Sequence, residues 1–310
     1  MPPDTKPIPK SVLIFGAAAH IGRPLAEFLQ REAPSIKLRL ATSSPSKIPG
    51  LQTAFPSAEV VVADFYDTPT LEAAVAGIEG VFIITPGGTD EGAATSNIIT
   101  ALRAADTAVH VLKLVGLQPE ANPRRIPEVL RNQRSLPVQH ALAKQLLDAS
   151  GLPVTYLNCG ATFIDNFFWM KRGLKEQRKL IWPERLIPFV DPRDVGEVAA
   201  RLLLSPNQRH IGQFHTLNNG HDLLRFKDVA ELMSEVWGEK IAYESSKEAF
   251  FAEYAPHMGE GRANALWEFF RYEEQNEVVW APNKFVEITL GRKPTTVREW
   301  LLENKQALLN

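Results

Sequence analysis

The chain has 310 residues, 45% of them hydrophobic and 23% charged, and a formal net charge of −2. This length leaves room for about two domains, and the near-zero charge excludes the strongly basic surface of a dedicated nucleic-acid-binding protein. A single cysteine, Cys159, excludes an intramolecular disulfide framework and a cysteine-based zinc site. No apolar run approaches the roughly 20 residues of a membrane span, and residues 1–10 lack the apolar stretch of a secretory signal. We therefore expect a soluble, cytoplasmic protein with a flexible N-terminal tail.

Short apolar strands alternate with amphipathic helices over the first half of the chain. The predicted strands are Ser11–Phe15, Lys37–Thr42, Glu59–Ala63, Val81–Thr85, His110–Val115 and Val154–Asn158. The helices predicted between them are Pro24–Arg31, Leu71–Ala76, Ala94–Ala105 and Pro137–Ser150. Alternation at this spacing predicts an α/β fold of βαβ units, with a Rossmann-type, doubly wound parallel sheet that helices cover on both faces.

The pattern changes near Gly160, where residues 161–182 become rich in aromatic and basic side chains. Arg193–Leu204 and Gln213–Leu217 are typical of a helix and a strand that return to the sheet, whereas the chain from His221 onward is mostly helical. These shifts predict two interleaved α/β domains, the second smaller than the first. The predicted tail covers residues 1–10, the dinucleotide-binding domain 11–159 and about 187–218, and the substrate-binding domain about 160–186 and 219–310.

The sequence GAAAHIG, residues 16–22, joins the first strand to the first helix. Small residues in this context allow a tight turn and close approach to a pyrophosphate, and the helix N-terminus supplies N–H donors. Ala19 stands where the middle glycine is usual, and alanine lacks the easy access of glycine to positive φ. The alternative is a strand-to-helix turn that binds nothing. The candidate cofactor contacts here are Gly16, Ala18, Ala19, His20, Ile21 and Gly22.

The loops after the second and third strands also bear on the cofactor. Residues 42–47 contain no carboxylate that could chelate the ribose hydroxyls of NAD. Ser43 and Lys47 could instead bind a 2′-phosphate, which favours NADP, although an ordinary polar loop is the alternative. Asp64 could accept a hydrogen bond from the adenine amino group with Phe65 beside the ring, or it could merely cap a turn.

The chain resembles the NmrA-like branch of the atypical short-chain dehydrogenases/reductases, which includes quinone reductases, isoflavone-reductase relatives and a redox-sensing regulator. The resemblance covers nearly the whole chain and rests on the order and spacing of several segments besides the glycine-rich turn. These are VADF (62–65), VFIITP (81–86), HALAKQLLDASGLPVTYL (140–157), FIDNF (163–167), VDPRDVGEVAARLLL (190–204), GEKIAY (238–243) and ITLGRKPTTVREWL (288–301). The resemblance implies an NADP-binding Rossmann domain, a small substrate domain and a cofactor in the cleft between them. Family members commonly have glycine in place of Ala19 and often arginine in place of Ser43, and either difference could lower cofactor affinity.

Reduction of a carbonyl or a conjugated alkene needs a hydride donor and an acid beside the developing oxyanion. The Ser-Tyr-Lys triad of classical short-chain dehydrogenases is absent, because Val115-Gly116 stands where serine is usual. The one Tyr-x-x-x-Lys match, Tyr243–Lys247, lies in the C-terminal region, and we interpret it as a coincidence.

His140 and Lys144 are the catalytic candidates. Both lie on the predicted helix Pro137–Ser150, and their i, i+4 spacing puts both on one face of it. His140 could donate a proton near neutral pH. Lys144 could bind the nicotinamide ribose or lower a neighbouring pKa. The alternative is that His140 packs against the preceding loop and that Lys144 is solvated.

Further candidates follow the later strands, at the edge where such sheets bind ligands. Thr85, Pro86 and Gly87 are predicted cofactor contacts. The predicted substrate contacts are Gly116, Asn158, Gly160, Phe163, Asn166, Phe167 and Trp169. The aromatic residues around them and in 250–270 favour a bulky, flat, hydrophobic substrate, although rings at helical spacing are more often core. The arginines of the loop 117–137 could cover the cleft or lie on a solvated surface. They are Arg124, Arg125, Arg131 and Arg134.

These observations favour an NADP(H)-dependent reductase of a bulky hydrophobic or aromatic carbonyl, quinone or enone compound. We expect a monomer or homodimer that acts on a small molecule and binds neither nucleic acid nor a membrane. We also expect no metal site, since the histidines lack metal-ligand spacing. Two alternatives stay open: an NADP-sensing, non-catalytic regulator that binds a protein partner, and a redox-neutral isomerase or cyclase. Ala19, Ser43 and the missing Ser/Tyr pair favour the alternatives, whereas the aromatic-rich small domain favours a small-molecule pocket.

Overall fold

The structure, a computed structural model, describes residues 5–119, 128, 136–276 and 279–310. The four arginines that we named in the loop 117–137 lie outside these ranges. The described residues divide into two compact units. The first contains the described residues of Met1–Leu117, Arg134–Cys159 and Pro192–Thr216, and the second those of Gln118–Gln133, Gly160–Asp191 and Leu217–Asn310. In the described ranges, no helix combines the length and the apolar character needed to cross a membrane.

The first unit is built on a seven-stranded parallel sheet, which confirms the predicted Rossmann-type fold. Its strands are β1 (Ser11–Phe15), β2 (Lys37–Thr42), β3 (Glu59–Val62), β4 (Gly80–Ile83), β5 (His110–Val115), β6 (Val154–Asn158) and β10 (Phe214–Thr216). Their order is β10-β6-β5-β4-β1-β2-β3. The chain therefore winds outward in two directions from β1 and β4, and their carboxyl ends form the switch point at which such sheets bind ligands.

Helices cover this sheet and explain why its central strands are buried along their whole length. They are α1 (Gly22–Glu32), α2 (Ile48–Ala54), α3 (Thr68–Val75), α4 (Glu91–Ala105), α5 (Leu136–Asp148) and α6 (Pro192–Leu204). All residues of β1, β4, β5 and β6 are buried, as expected of a parallel sheet covered on both faces. Helix α4 begins three residues before its predicted start at Ala94, because the Asp90 carboxylate caps it by accepting the N–H of Ala93 (3.2 Å).

The described residues of the second unit form two small sheets and five α-helices. Its strands are β7 (Thr162–Phe163), β8 (Lys179–Ile181), β9 (Leu186–Val190), β11 (Leu223–Arg225) and β12 (Ala242–Glu244). Its helices are α7 (Phe226–Trp237), α8 (Lys247–Met258), α9 (Glu260–Gln275), α10 (Phe285–Leu290) and α11 (Val297–Leu309). One sheet has the order β11-β9-β7, and the other pairs β12 with β8.

Aromatic side chains form the core of the second unit. Trp182 is 3% exposed and lies 5.1–6.2 Å, between ring centroids, from four other aromatic rings. Those rings are Phe226, Phe250, Tyr254 and Phe270. All six tryptophans of the chain belong to this unit. The rings after Gly160 and in 250–270, which favoured a flat substrate at the level of sequence, thus supply much of a hydrophobic core.

The chain enters the second unit at Gly160 and returns to the first at Pro192, somewhat later than the predicted return near residue 187. Strand β9 causes the difference, because it pairs in parallel with β7 and antiparallel with β11, both in the second unit. Tyr243, the tyrosine of the one Tyr-x-x-x-Lys match, also belongs to the second unit. It lies in β12, and its hydroxyl donates to the carbonyl oxygen of Trp182 (3.0 Å).

Candidate functional site

The turn after β1 requires glycine at two positions. Gly16 has a φ of +70°, and a Cβ there would lie 2.6 Å from Cγ2 of Ile84. A Cβ on Gly22 would lie 2.3 Å from the carbonyl oxygen of Gly16. The backbone therefore closes on itself between the end of β1 and the start of α1, which is the close approach that a phosphate cradle needs.

Ala19 fits this turn without backbone strain. Its N–H donates to the carbonyl oxygen of Gly16 (2.9 Å), and its own carbonyl accepts the N–H of Arg23 (3.0 Å). In the described part of the chain, Asp106 and Arg178 alone among non-glycine residues have positive φ. The expected conformational penalty of alanine is therefore absent, and its methyl group remains the one difference from glycine.

The N-terminus of α1 is open to an anion. Residues 18–20 are exposed, and the N-cap residue Ile21 makes no side-chain hydrogen bond to the first turn. Backbone N–H groups at such an end lack intrahelical partners and favour negative charge. The turn and the helix end together fit the pyrophosphate of a dinucleotide.

The other predicted adenosine contacts lie at the ends of β2 and β3. Ser43 and Lys47 are exposed, as a 2′-phosphate site requires. The Asp64 carboxylate accepts the N–H of Tyr66 (2.9 Å), so it caps a turn, the alternative that the sequence left open. The ring of Phe65 stacks on that of Phe15, with centroids 4.9 Å apart.

A buried polar cluster lies at the carboxyl ends of β4 and β5, and it contains the predicted cofactor contact Thr85 together with Lys113, Glu91 and Thr95, which the sequence did not single out. The Lys113 ammonium group is 3.1 Å from Oε2 of Glu91 and donates to the hydroxyl of Thr85 (3.0 Å). The hydroxyls of Thr85 and Thr95 both donate to the Glu91 carboxylate. The side chains of Lys113 and Glu91 are each 1% exposed, so the pair is closed off from solvent.

The local sequence explains why this charge pair forms. Side chains alternate along a strand, so Lys113 shares a face of β5 with Val111 and Val115. Both valines belong to an apolar core cluster that includes Ile98 of α4. An ammonium group in such surroundings needs a carboxylate, and α4 supplies Glu91 in its first turn, where the helix dipole also favours negative charge.

His140, from α5, adjoins this cluster. Its Nδ1 accepts the N–H of Gly116 (2.7 Å), and its Nε2 lies 3.6 Å from Oε1 of Glu91. Burial, and then the charge of Lys113, lowers the pKa of His140 to about 4. The ring is therefore neutral near neutral pH. This shift does not favour proton donation by His140 near neutral pH, and its catalytic role stays a prediction.

Lys144 lies one turn further along α5 in a separate set of contacts. Its Nζ is 2.6 Å from Oδ2 of Asp148 and 4.7 Å from the ring centroid of Tyr156. The Tyr156 hydroxyl donates to the same carboxylate (2.8 Å), and burial raises the pKa of that phenol. The catalytic role of Lys144 stays a prediction.

The predicted contacts after the fifth and sixth strands connect those two strand ends. Asn158 is fully buried, and its side-chain oxygen accepts the N–H of Leu117 (2.7 Å). Gly116 donates its N–H to His140, as described. Burial raises the pKa of the neighbouring Cys159 thiol, which makes this cysteine unreactive as a thiolate. Of the predicted contacts after β4, Pro86 and Gly87 are exposed.

The five other predicted substrate contacts belong to the second unit. Phe167 is fully buried and packs 5.9 Å, between ring centroids, from both Phe189 and Trp300, so its burial favours a core role. A Cβ on Gly160 would lie 2.0 Å from Cδ1 of Trp280. Trp169 is 52% exposed, which leaves its ring open to a ligand. Phe163 and Asn166 are partly buried.

The second unit contains its own buried ion pair, also missed by the sequence analysis. Nε of Arg185 lies 2.8 Å from Oε2 of Glu273, and both side chains are about 5% exposed. The contact is close but poorly aligned, since neither of these two atoms makes a hydrogen bond within the described part of the chain. The guanidinium lies over the rings of Phe226 and Phe270, 4.9 and 4.2 Å from their centroids. Its Nη2 donates to the hydroxyl of Thr162 (3.0 Å).

Comparison with known proteins gives consistent relatives. Residues 9–301 match the profile of the NmrA-like family. A (4-alkanoyl-5-oxo-2,5-dihydrofuran-3-yl)methyl phosphate reductase from Streptomyces griseus is 24% identical over 96% of this chain and 98% of its own. An NAD(P)H azoreductase from Xenophilus azovorans is 24% identical over 93% and 96% of the two chains. Among solved structures, the NADPH complex of an Escherichia coli quinone oxidoreductase has a TM-score of 0.78 at 20% identity, over 94% of this chain and 99% of that one.

Proposed function

The chain belongs to the NmrA-like family, and from this premise we propose that it is an NADPH-dependent reductase of bulky hydrophobic or aromatic carbonyl, quinone or enone compounds. The observation that carries the proposal is the turn after β1. There Gly16 lies against the Ile84 side chain and Gly22 against the backbone of Gly16, and the uncapped first turn of α1 follows at the switch point of the sheet. The reductase names of both curated relatives support the same activity.

The residues for the cofactor follow the edge of the sheet. Residues 16–22 would hold the pyrophosphate, Ser43 and Lys47 the 2′-phosphate, and residues 85–87 the nicotinamide half. The adenine would lie beside Asp64 and Phe65. No hydrogen bond or ion pair within the described chain engages the Lys47 ammonium, which leaves it available to a phosphate. When bound, the dihydronicotinamide would supply hydride; the protein binds, orients and excludes water.

The proposed substrate is a flat, conjugated electron acceptor. By their names, the similar proteins act on a (4-alkanoyl-5-oxo-2,5-dihydrofuran-3-yl)methyl phosphate, on azo compounds and on a quinone, and each of these contains a double bond that can accept hydride. Phe168 and Trp169 are 41% and 52% exposed, so the second unit presents two large rings to a ligand of that kind. Gly116 and Asn158 of the first unit stay among the proposed contacts.

The first test is a titration of the full chain with NADPH and with NADH, followed by cofactor fluorescence and by the melting temperature. We expect NADPH to bind more tightly. Lys47→Glu should reduce the preference about tenfold, since it removes one charge-assisted phosphate contact, whereas Lys37→Glu, an exposed lysine at the start of β2, should not. Absence of binding at millimolar NADPH would exclude the reductase. Tight binding without NADPH oxidation across quinones, enones and azo dyes would favour the regulator instead.

A further inference from the structure

The polar cluster at the ends of β4 and β5 controls one histidine. We propose that His140 acts as a neutral hydrogen-bond donor, offering Nε2–H to a substrate oxygen, and that Lys113 and Glu91 are the positioning pair that keeps it in this state. The proposal rests on the proposed reductase function for the identity of the acceptor. The state of the histidine itself follows from contacts within the first unit.

A main-chain hydrogen bond determines the tautomer of His140. The N–H of Gly116 lies 2.7 Å from Nδ1 of His140, so Nδ1 must accept a hydrogen bond. A neutral ring with Nδ1 as acceptor carries its hydrogen on Nε2. A main-chain N–H cannot turn around, and protonation of Nδ1 would oppose two donors. The geometry alone therefore disfavours both the other tautomer and the imidazolium.

Two charged side chains act on the His140 ring. Lys113 of β5 repels a positive ring and Glu91 of α4 attracts it. Both Glu91 oxygens already accept from the Lys113 ammonium group, and Thr85 and Thr95 add one hydroxyl donor each. The 3.6 Å between Nε2 and Glu91 exceeds hydrogen-bonding distance. The negative charge of Glu91 thus balances the positive charge of Lys113. Glu91 does not accept a hydrogen bond from Nε2–H of His140, which stays available to a ligand.

His140 lies at the edge of the sheet where ligands of this fold bind. His140 joins the carboxyl end of β5, beside Thr85 at the end of β4, and ligands of such sheets bind at these ends. Addition of hydride to a carbonyl carbon places negative charge on the oxygen, which a fixed donor stabilises. A histidine held neutral can do this without forming an imidazolate. His140 then contributes a hydrogen bond; the hydride comes from a dihydronicotinamide, and the oxyanion takes its proton from water.

The test begins with nuclear magnetic resonance of the full chain labelled with ¹⁵N-histidine, without cofactor. We expect the His140 nitrogens to show the neutral Nε2–H tautomer down to about pH 5. Lys113→Met should raise the apparent pKa of His140 by about one pH unit or more, because Glu91 then acts uncompensated. An Nδ1–H tautomer, an imidazolium at neutral pH, or an unchanged titration in Lys113→Met would overturn the proposal.

Controls separate charge from general disturbance. Lys6→Met removes another buried lysine of the same unit, one that contributes to the shift of His110 and not to that of His140, so it should leave the His140 titration in place. If Lys113→Met does not fold, Glu91→Gln serves instead, and it should lower the pKa of His140 further. A rise in Glu91→Gln would contradict the proposal.

Activity supplies the second readout. His140→Gln keeps a side-chain N–H donor and should retain most of kcat, whereas His140→Ala should lose about tenfold to a hundredfold in kcat. The wild-type kcat should stay level from about pH 6 to about pH 8, because no imidazolium is consumed. A fall of kcat above about pH 6.5, with Gln and Ala equally inactive, would identify His140 as a protonated acid and overturn the proposal. Absence of NADPH oxidation would count against the proposed function alone, since the resonance test is independent of it.

Discussion

Among the described residues, each unit contains a buried ion pair, Lys113–Glu91 in the first and Arg185–Glu273 in the second, and the two pairs are built differently. In the first unit, Lys113 and Glu91 are surrounded by hydroxyls that donate or accept, at the ends of two strands. In the second, Arg185 lies between aromatic rings, and its Nη1 is buried without a hydrogen-bond partner in the described part of the chain. Burial raises the pKa of its partner Glu273 and lowers that of Arg185, and it also lowers the pKa of Lys113 in the first pair. The two pairs therefore differ in their hydrogen bonds and not in the cost of burying charge.

The difference teaches what a buried charge can be used for. A charge pair with saturated hydrogen bonds can set the protonation state of a neighbour, as Lys113 does for His140. A pair covered by rings and left partly unsatisfied only fills space, at a desolvation cost that well-packed apolar side chains would avoid. The first pair is therefore the better candidate for function, and the second for packing.

The largest effect should come from breaking the first pair. Lys113→Met strands the Glu91 carboxylate and should lower the free energy of unfolding by about 3–5 kcal/mol. The double variant Glu91→Gln/Lys113→Met should recover more than half of that loss. Urea unfolding followed by circular dichroism at neutral pH measures both. A double variant as unstable as the single one would show that the pair is not the source of the loss.

Acid should act on the first unit next. The folded pKa of His140, about 4, lies below its ordinary value of 6.5, so the folded chain binds fewer protons than the unfolded chain between these values. Stability is then fully present above pH 6.5 and is lost as the pH falls towards 4, by about 3 kcal/mol from this residue. His110, with a pKa lowered to about 3 by burial, acts in the same direction.

The matched variant for this effect is His140→Gln, which cannot titrate. Urea unfolding at a series of pH values should show a shallower loss in His140→Gln than in the wild type across that window. Equal slopes would mean that His140 titrates normally in the folded chain.

Breaking the second pair should cost less. Arg185→Met keeps contact with Phe226 and Phe270 and removes Nε and Nη1, which lack hydrogen-bond partners in the described part of the chain, together with the Nη2 bond to Thr162. We expect a loss of about 2 kcal/mol. Arg185→Met/Glu273→Gln should restore most of it. The same urea assay applies, and a loss larger than that of Lys113→Met would reverse the comparison between the two pairs.

The smallest effects separate the two small residues of the glycine-rich turn. Gly16→Ala places a Cβ against Ile84 at positive φ and should cost about 1–3 kcal/mol and weaken NADPH binding. Ala19→Gly should change stability by less than about 1 kcal/mol, because Ala19 is unstrained. Calorimetry with and without NADPH measures both. Equal losses in the two variants would show that φ does not decide this turn.

The sequence predicted the first unit well because its signals are local. Alternating strands and helices, together with the small residues after β1, suffice for a parallel sheet and for the tight turn at Gly16 and Gly22. The predicted return to the first unit, near residue 187, comes before the observed return at Pro192. The reason is that β9 pairs antiparallel with β11, more than 30 residues away in the chain, and no local pattern reveals such a pairing.

The site was predicted in part. His140 was found from its helix spacing, but its protonation state depends on an N–H 24 residues earlier in the chain. Lys113 and Glu91 were missed, although one signal was present. A lone lysine in the otherwise apolar run VLKLV requires a buried carboxylate, and Asp90-Glu91 at a helix start offers one.

The aromatic core of the second unit has an optical consequence. Because all six tryptophans lie there, emission excited beyond the absorption of tyrosine reports on that unit alone, and the first unit is silent. Far-ultraviolet circular dichroism, by contrast, has contributions from the helices of both units. The fluorescence and circular-dichroism transitions will coincide during unfolding only if the two units lose their structure together. The natural positions of the tryptophans therefore allow the cooperativity of unfolding between the units to be measured without any added label.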